Sequence, residues 1–212
     1  MNKAIILSAL AASLLASFAV HAADTTELKV KGTVRPNACT PTLTADGVID
    51  YGTIPAASLK AGNKTTLAEK AINLAIVCDN AAKIAVTFTD NRAATRVPGI
   101  VSAGESANFG LGSAAGNNIG GYSVKFDTVT KDGGFAIYLG SNDSGASWAT
   151  YSPYADTVGG YVSVGTGSAT PAAGKVFSMG LKVQAVLNKP ENMSLTQDVP
   201  LDGSATIEVR YL

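Results

Sequence analysis

Apolar residues recur at every second position through much of the chain. Ile72, Leu74, Ile76 and Cys78 share one parity, as do Ile84, Val86 and Phe88, then Tyr122, Val124 and Phe126, then Phe135, Ile137 and Leu139. Successive side chains of a strand point to opposite faces, so each run predicts a half-buried β-strand. The longest is Phe177, Met179, Leu181, Val183, Ala185 and Leu187, with Ser178, Lys182 and Gln184 among the positions between. Past the N-terminal apolar run, no stretch holds a 3.6-residue apolar stripe long enough to predict a helix.

Turn formers separate these runs: Ala61-Gly62-Asn63, Asp79-Asn80, Ala115-Gly116-Asn117-Asn118, Asp132-Gly133-Gly134 and Lys189-Pro190-Glu191-Asn192. Short strands with frequent turns predict an all-β sandwich or barrel. The stretch from Ser141 to Gly174 is rich in Gly, Ser, Ala and Thr, and it predicts a long hairpin excursion because strand patterns resume on both sides. No segment repeats at a fixed period.

Both ends alternate too. Leu28, Val30 and Val34 fall on one parity and Glu27, Lys29, Lys31, Thr33 and Arg35 on the other, with Gly32 interrupting the apolar side. This predicts a strand with almost nothing before it. Ile207, Val209 and Tyr211 alternate with Thr206, Glu208 and Arg210, and the expectation is a core strand after which no residues remain to cover the next sheet edge.

Composition narrows the classes. The 212 residues are 46% hydrophobic and 15% charged, too apolar for a disordered chain and of a size for one domain. Lys+Arg and Asp+Glu both number 16 and no two basic residues are adjacent, so the electrostatic footprint of a nucleic-acid binder is missing. Met1-Asn2-Lys3 followed by an apolar run from Ala4 through Val20 and by Val20-His21-Ala22 reads as a signal peptide over residues 1–22, cut after Ala22. Cleavage would remove His21, the one histidine, and with it any Ser-His-Asp or Cys-His catalysis and any His-ligated metal.

Cys39 and Cys78, in an exported chain, are expected to form one structural disulfide, since their separation is unlike that of a redox Cys-x-x-Cys pair. Closing a loop of this size contributes about 4 kcal/mol by the chain-entropy estimate.

Carboxylate pairs survive the loss of histidine. Asp90 with Asp127 and Asp132 with Asp143 are the candidates, but all sit in turn-like contexts where Asp serves local hydrogen bonding. Gly110-Leu111-Gly112 with Gly116 lacks dinucleotide-binding spacing, and Asn142-Asp143-Ser144 lacks the spaced carboxylates of a calcium loop. No catalytic residue, metal site or cofactor is expected. Trp148, Tyr151, Tyr154 and Tyr161 stand in a Gly/Ser setting, where they either cover the hairpin or stack on a sugar.

The chain carries, in order, Lys31-Gly32-Thr33-Val34 leading into Asn37-Ala38-Cys39, then Val48-Ile49-Asp50-Tyr51-Gly52, Cys78 ending a strand run, and a near-terminal Tyr211. In this pattern it resembles a fimbrial (pilus) subunit of the chaperone-usher pathway, over essentially its whole length. Within that group it is most similar to the beta-fimbriae probable major subunit family, on Ala38-Cys39-Thr40-Pro41, Asp50-Tyr51-Gly52, Thr89-Asp90-Asn91-Arg92 and Asn118-Ile119-Gly120-Gly121-Tyr122.

The resemblance implies an immunoglobulin-like β-sandwich lacking its final strand, with an extension over residues 23–31 and a pilin domain over 32–212. The missing strand would leave a hydrophobic groove. A periplasmic pilus chaperone would fill it with its own strand until, at an outer-membrane usher, the extension of the next subunit replaces that strand by donor-strand exchange. Leu28 and Val30, with Thr26 a further candidate, would be the groove-filling side chains of the donor strand. Ile207, Val209 and Tyr211 would form a groove wall and the surface that pairs with the chaperone, and Cys39 and Cys78 match the family's disulfide positions. The partners implied are chaperone, usher and other fimbrial subunits, in a fibre exported through the periplasm to the cell surface for adhesion. A periplasmic or surface module that binds a glycan through the Trp148 to Tyr161 region, or a tip adhesin, is the alternative. Only nine residues, Ala23 to Lys31, precede Gly32, and their first half has no large apolar side chain, so a shallower grip than that of longer extensions is expected.

Overall fold

The structure is a computed structural model that describes residues 26–34, 38–150, 153–167 and 169–212. The chain divides into two units, residues 1–35 and Pro36–Leu212. The signal peptide expected over residues 1–22 lies outside the described residues. Residues 26–34 are exposed and take part in no strand, although their alternation predicts one. Leu28 and Val30 are 89% and 90% exposed. An extended segment becomes a strand only when its N–H and C=O groups meet a partner, and sequence alternation alone does not supply one.

The second unit is all-β. Its strands are β1 (Cys39–Leu43), β2 (Thr65–Thr66), β3 (Lys70–Ala82), β4 (Ile84–Asp90), β5 (Phe109–Gly110), β6 (Ser113–Ala114) and β7 (Asn117–Asn118). They continue with β8 (Gly120–Lys131), β9 (Gly134–Phe135), β10 (Ile137–Ser141), β11 (Ala149–Thr150), β12 (Tyr161–Gly165), β13 (Gly174–Leu187) and β14 (Ala205–Tyr211). The helical elements among the described residues are short 3-10 turns. One sheet runs β1-β3-β13-β8-β5, with β2 added to β13 and β9 to β8. The other runs β11-β10-β12-β4-β14, and β6 and β7 form a separate hairpin. Every pairing is antiparallel.

The period-two runs become the inner faces of the two sheets. Leu74 and Ile76 of β3 and Phe177, Met179 and Leu181 of β13 are buried against Ile84, Val86 and Phe88 of β4 and Val162 and Val164 of β12. Phe88 meets Phe126 edge to face with centroids 5.8 Å apart, the arrangement favoured by the ring quadrupoles. The Ser141 to Gly174 stretch is a hairpin only in part: β10 pairs with β11 and β12, but Val162 and Val164 of β12 are fully buried between β10 and β4, so the stretch includes a core strand before the chain crosses to β13.

Two local expectations are corrected. Asp79-Asn80 is not a turn but part of β3, because the Asp79 N–H donates to the Ala38 carbonyl at 3.0 Å and extends the ladder; the chain instead changes sheet around Lys83. Phe135 does not share a strand with Ile137 and Leu139. The chain crosses at Ala136 from β9, paired with β8, to β10, paired with β12, and Phe135 is left exposed. On the outer face of β13, Val186 is buried with Ile100 and Val101 from the long segment between β4 and β8. That segment is held by Lys64, whose ammonium donates to the carbonyls of Gly99 and Ile100.

Cys39 and Cys78 form the expected disulfide. They are direct partners in the β1–β3 ladder, with Cα atoms 4.0 Å apart, so the bridge fastens an edge strand to its neighbour at one end. Cys39→Ser is expected to lower unfolding stability by up to about 4 kcal/mol and to reduce recovery from an oxidising compartment. An unchanged denaturant midpoint would contradict a stabilising role for the bridge.

Candidate functional site

β1 ends one sheet and β14 ends the other, and the two edges lie on the same side of the sandwich: the Tyr211 hydroxyl of β14 accepts the Cys39 N–H of β1 at 2.7 Å. Beyond that contact the sandwich stays open. A cleft of about 270 Å³ lies between Leu43, Gly47, Ile49 and Tyr51 on one wall and Ala205 and Ile207 on the other. Its floor is the core itself, Ile72, Phe88, Val124, Leu181, Val183 and Ala185. A second cleft of about 870 Å³ shares Ile49, Tyr51 and Leu201 with the first and extends past Ile54, Leu59, Leu187, Met193 and Val199.

The openness shows in the burial of the walls. On β4 the inward residues Ile84, Val86 and Phe88 are fully enclosed, whereas on neighbouring β14 the inward Ile207 and Val209 are half-buried and Tyr211 is exposed. The backbone of β14 is equally uncovered. The Asn91 N–H donates to the Ser204 carbonyl and the Leu212 N–H to the Lys83 carbonyl. With the register Ala205↔Asp90 to Tyr211↔Ile84, this phase directs the even-numbered residues at β4. The N–H and C=O groups of Ala205, Ile207, Val209 and Tyr211 therefore point away from β4, along the open edge. Among the described residues, apolar side chains and backbone groups with no strand partner thus lie in one strip, the combination that strand addition requires.

Local interactions hold both walls apart and in place. On the first wall, Gly52 adopts a φ of 66°, the left-handed region that glycine enters without strain, and its N–H donates to Asp50 Oδ1 at 2.7 Å. That turn presents Tyr51, whose hydroxyl donates to the Val183 carbonyl at 3.0 Å and accepts the Ala185 N–H at 3.1 Å. Val183 pairs with β3 and Val186 with β2, so the hydroxyl serves β13 where its strand partner is interrupted. Burial is the main cause that pushes the Tyr51 pKa up, partly offset by the Ala185 N–H, and the side chain stays a neutral bridge. The Lys70 ammonium lies over the ring, 5.4 Å from its centroid.

On the second wall, the Thr89-Asp90-Asn91-Arg92 motif fastens the approach to β14. Buried Asp90 accepts Arg96 Nε at 2.7 Å and the N–H groups of Arg92 and Gly110. Arg92 clamps Asp202 with two bonds, Nε to Oδ2 at 2.9 Å and Nη2 to Oδ1 at 3.0 Å, and Asn91 Nδ2 donates to Ser204 and Thr206 hydroxyls. The Arg92 clamp holds the Asp202 carboxyl below its usual range. On the face of β8 turned away from the cleft, a Cβ at Gly121 would clash with Asn108 Oδ1 and crowd Ile100, so glycine there is a packing requirement of the outer layer.

The residues assigned from the resemblance fall as follows. Ile207, Val209 and Tyr211 share the open edge, with Ile207 lining the cleft. Thr26, Leu28 and Val30 are exposed in the other unit, with no strand formed. Leu43, Ile49, Tyr51 and the second cleft were not singled out as a site by sequence alone, because Val48 to Leu59 has no sustained alternation; the Asp50-Tyr51-Gly52 turn was its one signal.

The candidate carboxylates each have a local partner. Asp127 pairs with Lys182 at 3.0 Å. Asp132 is held at about 2 by the Val176 N–H, the Lys131 ammonium and the Lys175 N–H, and Asp143 at about 2 by the hydroxyl of Ser141 and the hydroxyl and N–H of Ser147. Among the described residues no group of three or more His, Cys, Asp or Glu comes together as a metal-binding cluster. Trp148 is half-buried and its indole N–H donates to the Gly145 carbonyl at 3.0 Å, Tyr154 bridges to Lys125, and Tyr161 starts β12. Tyr151 lies outside the described residues.

Residues 28–107 match a family model described as "Protein of unknown function (DUF1120)". The chain is similar to Uncharacterized protein YhcF of Escherichia coli (strain K12), 28% identical over 233 residues that take in 96% of this chain and 97% of that protein. It is also similar to Protein GltF of the same organism, 29% identical over 249 residues, 100% of this chain and 98% of that one. The second likeness takes in both walls of the cleft.

Tyr51→Phe removes the bridge to β13 and leaves the N–H of fully buried Ala185 without its partner. The expected cost is about 1–3 kcal/mol, read as a lower denaturant midpoint at unchanged m-value. An unaltered midpoint would show that the hydroxyl does not hold this wall.

Proposed function

We propose that this chain is a structural fimbrial subunit of the chaperone-usher kind, resembling the beta-fimbriae major subunits, which polymerises by accepting a strand from another copy. The observation that carries the reading is the uncovered edge of β14 beside an apolar cleft floored by the core. Left open to water, apolar surface costs about 25 cal/mol per Å², so the cleft favours an occupant that is apolar on one side and hydrogen-bonding along its edge. A β-strand with alternating apolar residues meets both demands.

Residues 26–34 supply such a segment from a second copy. Thr26, Leu28 and Val30 have the spacing of one strand face and are exposed, hence available. From Thr26 to Gly32 the segment would span about 20 Å at roughly 3.3 Å per residue, the same run as Ala205 to Tyr211 of β14. Before assembly, a periplasmic pilus chaperone would lend a strand to the same cleft, and an outer-membrane usher would be the place of exchange. The polymer would stand at the cell surface and serve adhesion. The chain's part in this is mechanical, a strand given and a strand received, and it calls for no catalytic group or cofactor.

In this reading Leu28 and Val30 act as donors and not as walls of the acceptor. Burying each contributes about 1.5–3 kcal/mol, so Leu28→Asp with Val30→Asp is expected to reduce polymer formation by at least about 100-fold. Chaperone capture should be unaffected. Polymer yield after mixing subunits with usher, and co-purification with the chaperone, read the two effects separately. Polymer formed at the wild-type level, or capture lost along with it, would overturn the donor role.

A further inference from the structure

The two edges that border the cleft do not offer the same backbone. On β1, the Asp79 N–H donates to the Ala38 carbonyl, and the register Cys39↔Cys78 then places Thr40 in the phase that bonds to β3. The backbone groups of Cys39, Pro41 and Leu43 are the ones turned away from β3. Two of these three positions offer no free donor. Pro41 has no N–H, and the Cys39 N–H is already given to the Tyr211 hydroxyl at 2.7 Å. Across the cleft, β14 turns the groups of Ala205, Ile207, Val209 and Tyr211 outward, and none of these is a proline.

We propose that Pro41 and the Tyr211 hydroxyl make the cleft one-sided: they close β1 to strand addition, direct the backbone of an entering strand onto β14, and end its run at the Cys39–Tyr211 contact. The occupant is the alternating strand of the function proposed above, and the inference rests on that reading. A strand laid along β1 would find no donor opposite Pro41, and to use Cys39 it would first have to break the bond to Tyr211. Proline on an exposed edge is a known way of preventing strand addition. Here a side-chain hydroxyl from the opposite sheet completes the block at the next outward-facing residue. The same bond joins the two sheets at the disulfide end, so the strand meets a closed stop there, while the opposite end passes into the larger cleft. Tyr211 is thus a positioning residue: its ring belongs to the wall and its hydroxyl decides which edge is offered.

Residue-resolved amide exchange on the full ¹⁵N-labelled chain, with and without a synthetic peptide of residues 23–35, tests this. The peptide is expected to slow the Ile207 and Val209 amides by about tenfold or more and to leave Leu43 unchanged. In Tyr211→Phe, which keeps the ring, the Cys39 amide of the peptide-free chain should exchange about tenfold faster, because its acceptor is gone. Slowing of Leu43 to the same degree as Val209 would overturn one-sidedness. An unchanged Cys39 amide in Tyr211→Phe would overturn the capping role. If the peptide slows no amide of β14, the proposed function itself fails and the directing role with it, while the Cys39 comparison still decides the cap.

Discussion

A backbone N–H or C=O at the edge of a sheet needs a partner, and a core side chain beside it needs cover. In this sandwich both needs converge on one strip. β14 has β4 on one side, and along its other side four residues turn their peptide groups outward beside half-buried Ile207 and Val209. The floor next to that strip is the inward face of β3, β13 and β8, so whatever covers the edge also completes the core. Hydrogen bonding and apolar burial then favour the same occupant, a strand of alternating pattern, and the proposed function follows from that coincidence.

An open cleft persists only if its walls resist closing onto one another. Several fastenings oppose collapse. The disulfide and the β3 ladder hold β1, Tyr51 braces the segment after it against β13, and the Arg92–Asp202 clamp with the Asn91 bonds holds the start of β14. The Arg92–Asp202 pair is well exposed and contributes little by itself; its use is geometric, since it fixes where Leu201 stands at the meeting of the two clefts. The hydrogen bond from the Cys39 N–H to the Tyr211 hydroxyl links the two walls at the end where the cleft stops.

Strands were legible wherever one face packs on the core. The parities of Ile72 to Cys78, Ile84 to Phe88 and Phe177 to Leu187 all became inner faces because burial imposes period two. The readings failed where long-range pairing overruled local chemistry. Asp79-Asn80 has turn composition, yet the ladder to β1 carries the strand through it, and Phe135 keeps the parity of Ile137 although the chain changes sheet between them. Val97, Ile100 and Val101 cover Val186 from a segment with no periodicity, so nothing in its local sequence announces that packing. Of the candidate site, β14 was legible as an alternating strand. The wall from Val48 to Leu59 was not, because its shape comes from turns and from Tyr51 reaching a distant strand. Alternation at Leu28 and Val30 signalled a strand that residues 26–34 do not form, because alternation supplies side-chain spacing and no partner for the backbone groups.

Whether the cleft is completed from outside is decided by the thermal melt of a chain shortened to begin at Lys31, with and without a peptide of residues 23–35. A shortened chain that melts low and is raised by several degrees or more, rising with the logarithm of peptide concentration once the site is saturated, is the expected result, since a ligand that binds only the folded state stabilises it by mass action. A high, cooperative transition that the peptide leaves unmoved would mean that the sandwich is complete by itself, and the strand-accepting role would have to be abandoned.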